Sequence, residues 1–141
     1  MSQLFSIDTN NPPRVIPPIE FGVSEVHNKK WGAENWICNT EWFCGKILTF
    51  VSGAKFSMHK HLLKNEVFFV KSGKIQLYYY DLSNAGMFFK ELSIGETAFI
   101  PAGQPHQILA LEDSEVIEFS SPHYESDSYR VIAGDSQLAK I

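Results

Sequence analysis

The chain has 141 residues, of which 44% are hydrophobic and 20% charged, and these values fit one folded domain rather than a disordered or fibrous protein. Its net charge of −4 argues against a nucleic-acid partner, because binding to a phosphate backbone requires clustered Lys and Arg. The first residues, MSQLFSIDTN, lack the basic and apolar regions of a secretory signal, and no apolar run approaches the roughly 20 residues that span a bilayer, so we expect a cytoplasmic protein.

The N-terminal region is rich in proline. Residues 10–20, NNPPRVIPPIE, carry four of the seven prolines, and proline fixes the backbone φ angle and lacks an amide donor. We therefore predict an extended arm over residues 1–22, a single domain over residues 23–135 and a short tail over residues 136–141. A short helix near residues 24–35 or at the C-terminus is also considered.

Beyond residue 46 the chain becomes a series of short β-type runs. Turn signals separate them, such as Ser72-Gly73 and Ile94-Gly95, and no convincing helical period is present. This rhythm is typical of an all-β sandwich or barrel. The runs are KILTFVS, EVFFV, KIQLYYYD, MFFKEL, ETAFI, HQILAL and EVIEFS.

Two stretches place three of the five histidines at spacings that suit a metal site. The first runs from Gly53 to Gly73 and contains His59, His61 and Glu66; the second runs from Gly95 through Pro101 and Gly103 to His106. Glycine and proline frame the histidines at turn-like distances. Chance scatter therefore explains their positions poorly.

The geometry of a β-strand explains how these side chains could meet. His59 and His61 are two residues apart, so they point to the same face of a strand, and a turn before Glu66 would return the chain across from them. The turn at Pro101 and Gly103 would bring His106 from a later strand. Three imidazoles and a carboxylate predict one divalent transition metal per chain, with Zn, Fe, Ni, Mn and Co all compatible.

Both stretches closely resemble the two motifs of the cupin superfamily. The resemblance implies a jelly-roll β-barrel, also called a double-stranded β-helix, with His59, His61, Glu66 and His106 as the metal ligands. The second motif usually closes with Asn four positions beyond its histidine, where this chain has Ala110. That Asn is not a ligand, so the departure affects a supporting hydrogen bond and leaves the ligand set intact.

A shorter resemblance concerns the activity. Lys30-Trp31-Gly32, Cys44-Gly45-Lys46-Ile47-Leu48 and the segment EFSSPHYESDSYR look like the cupin portion of type II mannose-6-phosphate isomerases and related sugar-phosphate isomerases. The resemblance implies an isomerase or epimerase of a sugar or sugar phosphate. An Fe-dependent dioxygenase and a non-catalytic metal-binding or ligand-binding module are the alternatives.

Two residues are candidates for catalysis. Glu118 alternates with Ile117 and Phe119 in EVIEFS; an inward position would raise its pKa and suit a general base, whereas an outward position is equally compatible with the alternation. Arg130 is the only basic residue in an acidic tail and could clamp a phosphate or carboxylate, although a surface pair with Asp127 is the simpler alternative.

The remaining predictions concern the substrate and the oligomeric state. Lys46 and Tyr78 are candidate substrate-binding residues, although the tyrosines could simply fill the barrel. Several lysines surround the first motif and would favour an anionic small-molecule ligand, which the resemblance implies is a sugar derivative. The alternative is that most of these lysines are solvated. A small barrel exposes sheet edges that the proline-rich arm of a second copy could cover, so we predict a homodimer.

Overall fold

The computed structural model describes residues 18–138. These residues form strands and two short 3₁₀ turns, Glu125–Asp127 and Asp135–Gln137. The strands are β1 (Glu25–Lys29), β2 (Gly32–Asn39), β3 (Cys44–Phe50), β4 (Met58–Lys60), β5 (Glu66–Ser72), β6 (Lys74–Tyr80), β7 (Met87–Ser93), β8 (Thr97–Ile100), β9 (His106–Ala110), β10 (Ser114–Ser120) and β11 (Tyr129–Ile132).

The strands form two antiparallel sheets that enclose one core. The larger sheet has the order β1-β2-β3-β10-β5-β8 and the smaller one the order β11-β4-β9-β6-β7. Residues of both sheets, among them Phe50, Phe68 and Val116 of the first and Ile75 and Ile108 of the second, belong to one buried cluster. The predicted all-β class and the two-sheet architecture of a jelly roll are therefore confirmed.

The inner face of the larger sheet changes from apolar to polar along its strands. On β10, Val116 is buried at the apolar end, and Glu118, two residues later on the same face, is also buried. On β3, Leu48 and Lys46 show the same change, and Lys46 lies directly opposite Glu118 in the strand register. The polar end of this face lines the cavity described below.

Residues 24–35 do not form the helix considered from the sequence. They contribute to the β1–β2 hairpin, in which Lys29 pairs with Gly32. Gly32 has φ of +146°, and a Cβ at this position would collide with the carbonyl oxygen of Thr49 on β3. A glycine is therefore required for the hairpin to pack against the next strand.

Only part of the predicted arm can be compared with the structure. Residues 18–22 are exposed and belong to no strand, whereas residues 1–17 lie outside the described residues, as do residues 139–141 of the predicted tail. The proposed domain boundaries stay predictions. Within residues 18–138, no helix is both long enough and apolar enough to cross a bilayer.

Candidate metal centre

The three motif histidines come together on the smaller sheet. His59 on β4 and His106 at the start of β9 are direct partners in the antiparallel register, and His61 follows one residue after β4. One potential ligand atom from each of the three side chains lies within 4.8 Å of the other two. The sequence prediction that these histidines converge is thus met by the geometry, and the group could hold a metal ion.

Hydrogen bonds to main-chain carbonyls orient all three imidazoles. Nδ1 of His59 lies 2.8 Å from the carbonyl oxygen of Ser57, and Nδ1 of His61 lies 2.8 Å from that of Asp127. Nδ1 of His106 lies 2.9 Å from the carbonyl oxygen of Gln104. A carbonyl oxygen only accepts, so Nδ1 carries the hydrogen and donates it in each case. Nε2 is then the free lone pair in the neutral ring, which is the arrangement found in histidine ligands of metals.

Glu66 reaches the histidines from the larger sheet. Its Oε1 atom lies 2.6 Å from Nε2 of His106 and 3.9 Å from Nε2 of His61. Despite the short distance, Oε1 of Glu66 and Nε2 of His106 have no partner with hydrogen-bond geometry among the described residues, and both atoms are buried. Buried polar atoms are rarely left unpaired. Because Oε1 of Glu66 lies beside a histidine of the group that could hold a metal ion, a divalent cation shared with Glu66 would give both atoms a partner.

The electrostatics of the site suit ligands that bind a metal without first losing a proton. Burial lowers the pKa of His61 to about 4, and the nearby positive charge of Lys64 acts in the same direction. Burial also lowers the pKa of His59, with contributions from His106 and His61. Burial alone would raise the pKa of Glu66, but His106 in its protonated form and Lys64 outweigh it, so this pKa is lowered and the carboxylate is ionised.

A buried ammonium connects Glu66 to a second carboxylate. Nζ of Lys64 lies 3.2 Å from Oε2 of Glu66, 3.1 Å from Oε2 of Glu118 and 3.3 Å from Nδ1 of His123. Burial would lower the pKa of Lys64, but the two carboxylates outweigh it and raise this pKa, so the ammonium is charged. Lys64 is only 3% exposed. From the sequence, Lys64 was only one of several lysines around the first motif, and its contacts with the two carboxylates were not predicted.

Glu118 occupies the inward position that the strand alternation left open. It is 4% exposed and lines the same cavity as His59, His61 and Glu66. Burial raises its pKa, and the negative charge of Glu66 adds to this effect, while Lys64 and Lys46 oppose it. Ser120 donates a hydrogen bond to the same oxygen, Oε2, that Lys64 contacts.

Lys46 also lines the cavity, but its charge is already paired. Its ammonium lies 3.2 Å from Oε1 of Glu34 and 4.5 Å from the ring centroid of Trp36. Lys29 approaches the other carboxylate oxygen of Glu34 at 3.5 Å. Burial would raise the pKa of Glu34, but these two lysines lower it, so one negative charge faces two positive ones.

Arg130 and Asp127 are not paired with each other. Arg130 lies on β11 opposite His59 in the register, is exposed, lines the cavity and has no ion pair within residues 18–138. The buried carboxylate of Asp127 instead accepts hydrogen bonds from the amides of Leu62, Leu63 and Lys64 at 2.8 to 3.2 Å. The alternative of a surface ion pair is therefore wrong.

Tyr78 lies away from the cavity. On β6 the buried residues Ile75 and Leu77 face the core, and Tyr78 has the opposite parity. Its hydroxyl donates to Oε1 of Gln76 at 2.9 Å, and its ring contacts Phe89 on β7. The prediction that Tyr78 contacts a substrate in this cavity is corrected, because strand alternation shows which residues share a face but not which face is inward.

The sequence matches no protein-family model and no curated protein. Solved structures, however, resemble it. Oxalate decarboxylase from Bacillus subtilis shows 19% identity and a TM-score of 0.69 over 77% of this chain and 30% of its own. The capsular polysaccharide assembling protein CapF from Staphylococcus aureus shows 21% identity and a TM-score of 0.69 over 79% of this chain and 35% of its own.

A further structure of the Bacillus subtilis decarboxylase, from work on its Mn(II) centers, shows 19% identity and a TM-score of 0.68 over 77% of this chain and 30% of its own. The chain therefore spans about a third of the length of the proteins it resembles. At this level of identity the likeness establishes the fold alone.

Proposed function

We propose that this chain, which has a cupin fold, is a metal-dependent isomerase or epimerase of a small anionic sugar or sugar phosphate. The observation that carries the proposal is the position of Glu118: its buried carboxylate shares the ammonium of Lys64 with Glu66, beside the three histidines. A candidate acid–base group and a candidate metal centre thus border one cavity.

In this proposal His59, His61, Glu66 and His106 hold one divalent transition metal. A bound metal would polarise the carbonyl and hydroxyl oxygens of a substrate. The three nitrogen donors and one oxygen donor are compatible with Zn, Fe, Ni, Mn and Co. The Mn(II) centers named for the similar decarboxylase make Mn a reasonable first metal to test.

Glu118 is the proposed general base. Its carboxylate would take a proton from the hydroxyl-bearing carbon beside a substrate carbonyl. In isomerisation this proton would return to the carbonyl carbon while the hydroxyl proton moves to the former carbonyl oxygen. In epimerisation it would return to the opposite face of the same carbon after the substrate reorients. A raised pKa supports this role, because a base works best when its pKa approaches the working pH. Lys64 stabilises the charged form of Glu118 in this buried site by forming an ion pair with it.

Arg130 and the size of the cavity favour a small anion. Four basic side chains and four glutamates line the cavity, so their charges balance, and a bound dication would make the site positive. Arg130 has no ion pair in the described part of the chain, and its guanidinium suits bidentate binding of phosphate or carboxylate. The cavity volume is about 120 Å³. Pockets for drug-sized ligands measure roughly 300–1,000 Å³, so a substrate of one sugar unit or less fits better than an oligosaccharide.

The test is deuterium exchange under anaerobic conditions. The metal-loaded protein is incubated with sugars, sugar phosphates and sugar acids in D₂O, and the products are followed by NMR. We expect deuterium on the carbon beside the carbonyl, and its loss in Glu118→Gln. Glu115→Gln is the matched control, because Glu115 lies on the same strand but pairs with Lys71 on the surface.

Other outcomes favour the alternatives. Oxygen consumption on admission of air, without deuterium exchange, would favour an Fe-dependent dioxygenase. Metal binding with neither reaction would favour a non-catalytic binding module. Deuterium exchange that persists unchanged in Glu118→Gln would remove Glu118 from the proposed mechanism.

We also propose that the protein is a cytoplasmic homodimer. The outer face of the larger sheet carries exposed apolar side chains, including Ile37 (49% exposed) and Phe119 (56% exposed), and such patches often mark contacts between protein chains. Cys38 and Cys44 are both free thiols, which is consistent with a reducing compartment. Light scattering at micromolar concentration tests the homodimer, and a single monomeric species would refute it.

A further inference from the structure

Lys64 contacts the carboxylate of Glu66 on one side only. It lies in the connection between β4 and β5, and its ammonium is 3.2 Å from Oε2 of Glu66. The other oxygen, Oε1, is buried, has no hydrogen-bond partner among the described residues and lies 2.6 Å from Nε2 of His106. The two oxygens of one carboxylate therefore have different environments.

We propose that Lys64 is a positioning residue that makes Glu66 a monodentate metal ligand, with Oε1 as the single donor atom. This rests on the metal-binding part of the proposed function. An ammonium at Oε2 occupies that oxygen and repels a dication approaching it, so only Oε1 remains for the metal. A bidentate carboxylate would occupy a second coordination position, which is instead left for water or substrate.

The main chain around Lys64 fixes its position. The carboxylate of Asp127 accepts hydrogen bonds from the amides of Leu62, Leu63 and Lys64, and Asp127 is itself buried. The carbonyl of the same Asp127 accepts from Nδ1 of His61. One residue of the C-terminal segment therefore sets the position of Lys64 relative to a histidine of the candidate centre.

Glu118 is the second partner of the ammonium and allows a charge-balanced variant. Lys64, Glu66 and Glu118 together carry one positive and two negative charges. Lys64→Met alone would leave the carboxylate of Glu118 buried without its cation, and this could prevent folding. Lys64→Met combined with Glu118→Gln keeps the net charge of the cluster at −1 and still frees Oε2 of Glu66.

The experiment is visible absorption spectroscopy of the full chain titrated with Co(II). The Co(II) bands weaken as the coordination number rises, because a tetrahedral ion lacks an inversion centre and its d–d transitions are less forbidden than those of an octahedral ion. Where the second oxygen of Glu66 displaces a water, the coordination number stays the same, so the relaxation of water protons by bound Mn(II) is measured alongside to count the coordinated waters. In Lys64→Met and in the double variant we expect a lower molar absorbance per bound Co(II) or one fewer water on Mn(II), because Glu66 becomes bidentate. Lys64→Arg, which retains the cation, should keep the wild-type spectrum.

Two controls separate positioning from a general effect of charge. Lys60→Met removes the same charge between His59 and His61, but Lys60 has no ion pair with Glu66 or Glu118, so the spectrum should not change. Glu118→Gln leaves the contact between Lys64 and Glu66 in place and should also keep the wild-type spectrum.

A double variant whose Co(II) spectrum and Mn(II) water-proton relaxation both match those of the wild type would overturn the inference while leaving the metal site intact. Failure of the wild-type protein to bind Co(II) would overturn both the inference and the metal-dependent function. Absence of deuterium exchange in the Co(II)-binding protein would count against the isomerase alone.

Discussion

The main-chain carbonyl of Asp127 accepts a hydrogen bond from Nδ1 of His61 at 2.8 Å. Asp127 lies in the 3₁₀ turn Glu125–Asp127, which is 66 residues away in sequence. The C-terminal segment is therefore part of the candidate metal centre, because it holds one of its histidines in the tautomer that leaves Nε2 free.

Asp127→Ala should destabilise the protein strongly. The substitution leaves the amides of Leu62, Leu63 and Lys64 without their acceptor; the Lys64 bond is buried and the other two are partly buried. A buried unsatisfied donor costs about 1–3 kcal/mol and a partly buried one less, so we expect a loss of about 2–4 kcal/mol. Urea denaturation measures this change. Asp113→Ala, which removes an acceptor from the single exposed amide of Ser52, should cost much less. Equal losses in the two variants would contradict this account.

Phe68→Ala should affect both the core and the metal centre. Phe68 is 1% exposed, and its ring centroid lies 5.7 Å from that of His106. Truncation of a buried Phe costs about 3–5 kcal/mol, and the cavity would allow His106 to tilt. Urea denaturation and metal titration together test this. The comparison variant is Val116→Ala in the same core, which should lower stability but leave metal affinity close to that of the wild type.

Acid should lower the free energy of unfolding of the metal-free protein through His61. Its pKa of about 4 in the folded chain lies below the ordinary value of about 6.5, because burial and the charge of Lys64 disfavour the protonated ring. As the pH falls from about 6.5 to about 4, the unfolded chain takes up a proton that the folded chain does not, so the free energy of unfolding decreases in this window. Above it, this residue contributes no pH dependence.

Denaturation curves of the metal-free protein across this window measure the effect. His61→Asn, which does not titrate there, should show a shallower decrease in stability than the wild type. A wild-type stability that rises on acidification would be incompatible with a buried neutral His61.

The sequence was most informative where local spacing determines geometry. The i and i+2 spacing of His59 and His61 and the turn before His106 placed these residues correctly, and the cupin fold expected from the two motifs is confirmed. Alternation along β10 also made an inward Glu118 possible, and the structure places it there.

Features that depend on contacts between distant segments could not be read in the same way. The role of Asp127 depends on packing between the C-terminal segment and the turn after β4. Lys64 looked like a solvated lysine of the turn before β5, and its contact with Glu66 depends on how this connection folds, which strand alternation does not describe. Tyr78 was a candidate substrate-binding residue but faces away from the cavity, because alternation alone does not show which face of β6 is covered by the other sheet.

The central claim is tested most directly by metal stoichiometry. The wild-type protein and the variants His106→Ala, His61→Ala and His27→Ala are loaded with Mn(II), Fe(II) or Zn(II) under anaerobic conditions, desalted and measured by elemental analysis. We predict about one metal per chain in the wild type and in His27→Ala, whose ring stacks on Trp36 away from the motif histidines, and almost none in the other two. Metal content in His106→Ala equal to that of the wild type, or a wild type that retains no metal, would contradict the proposed centre.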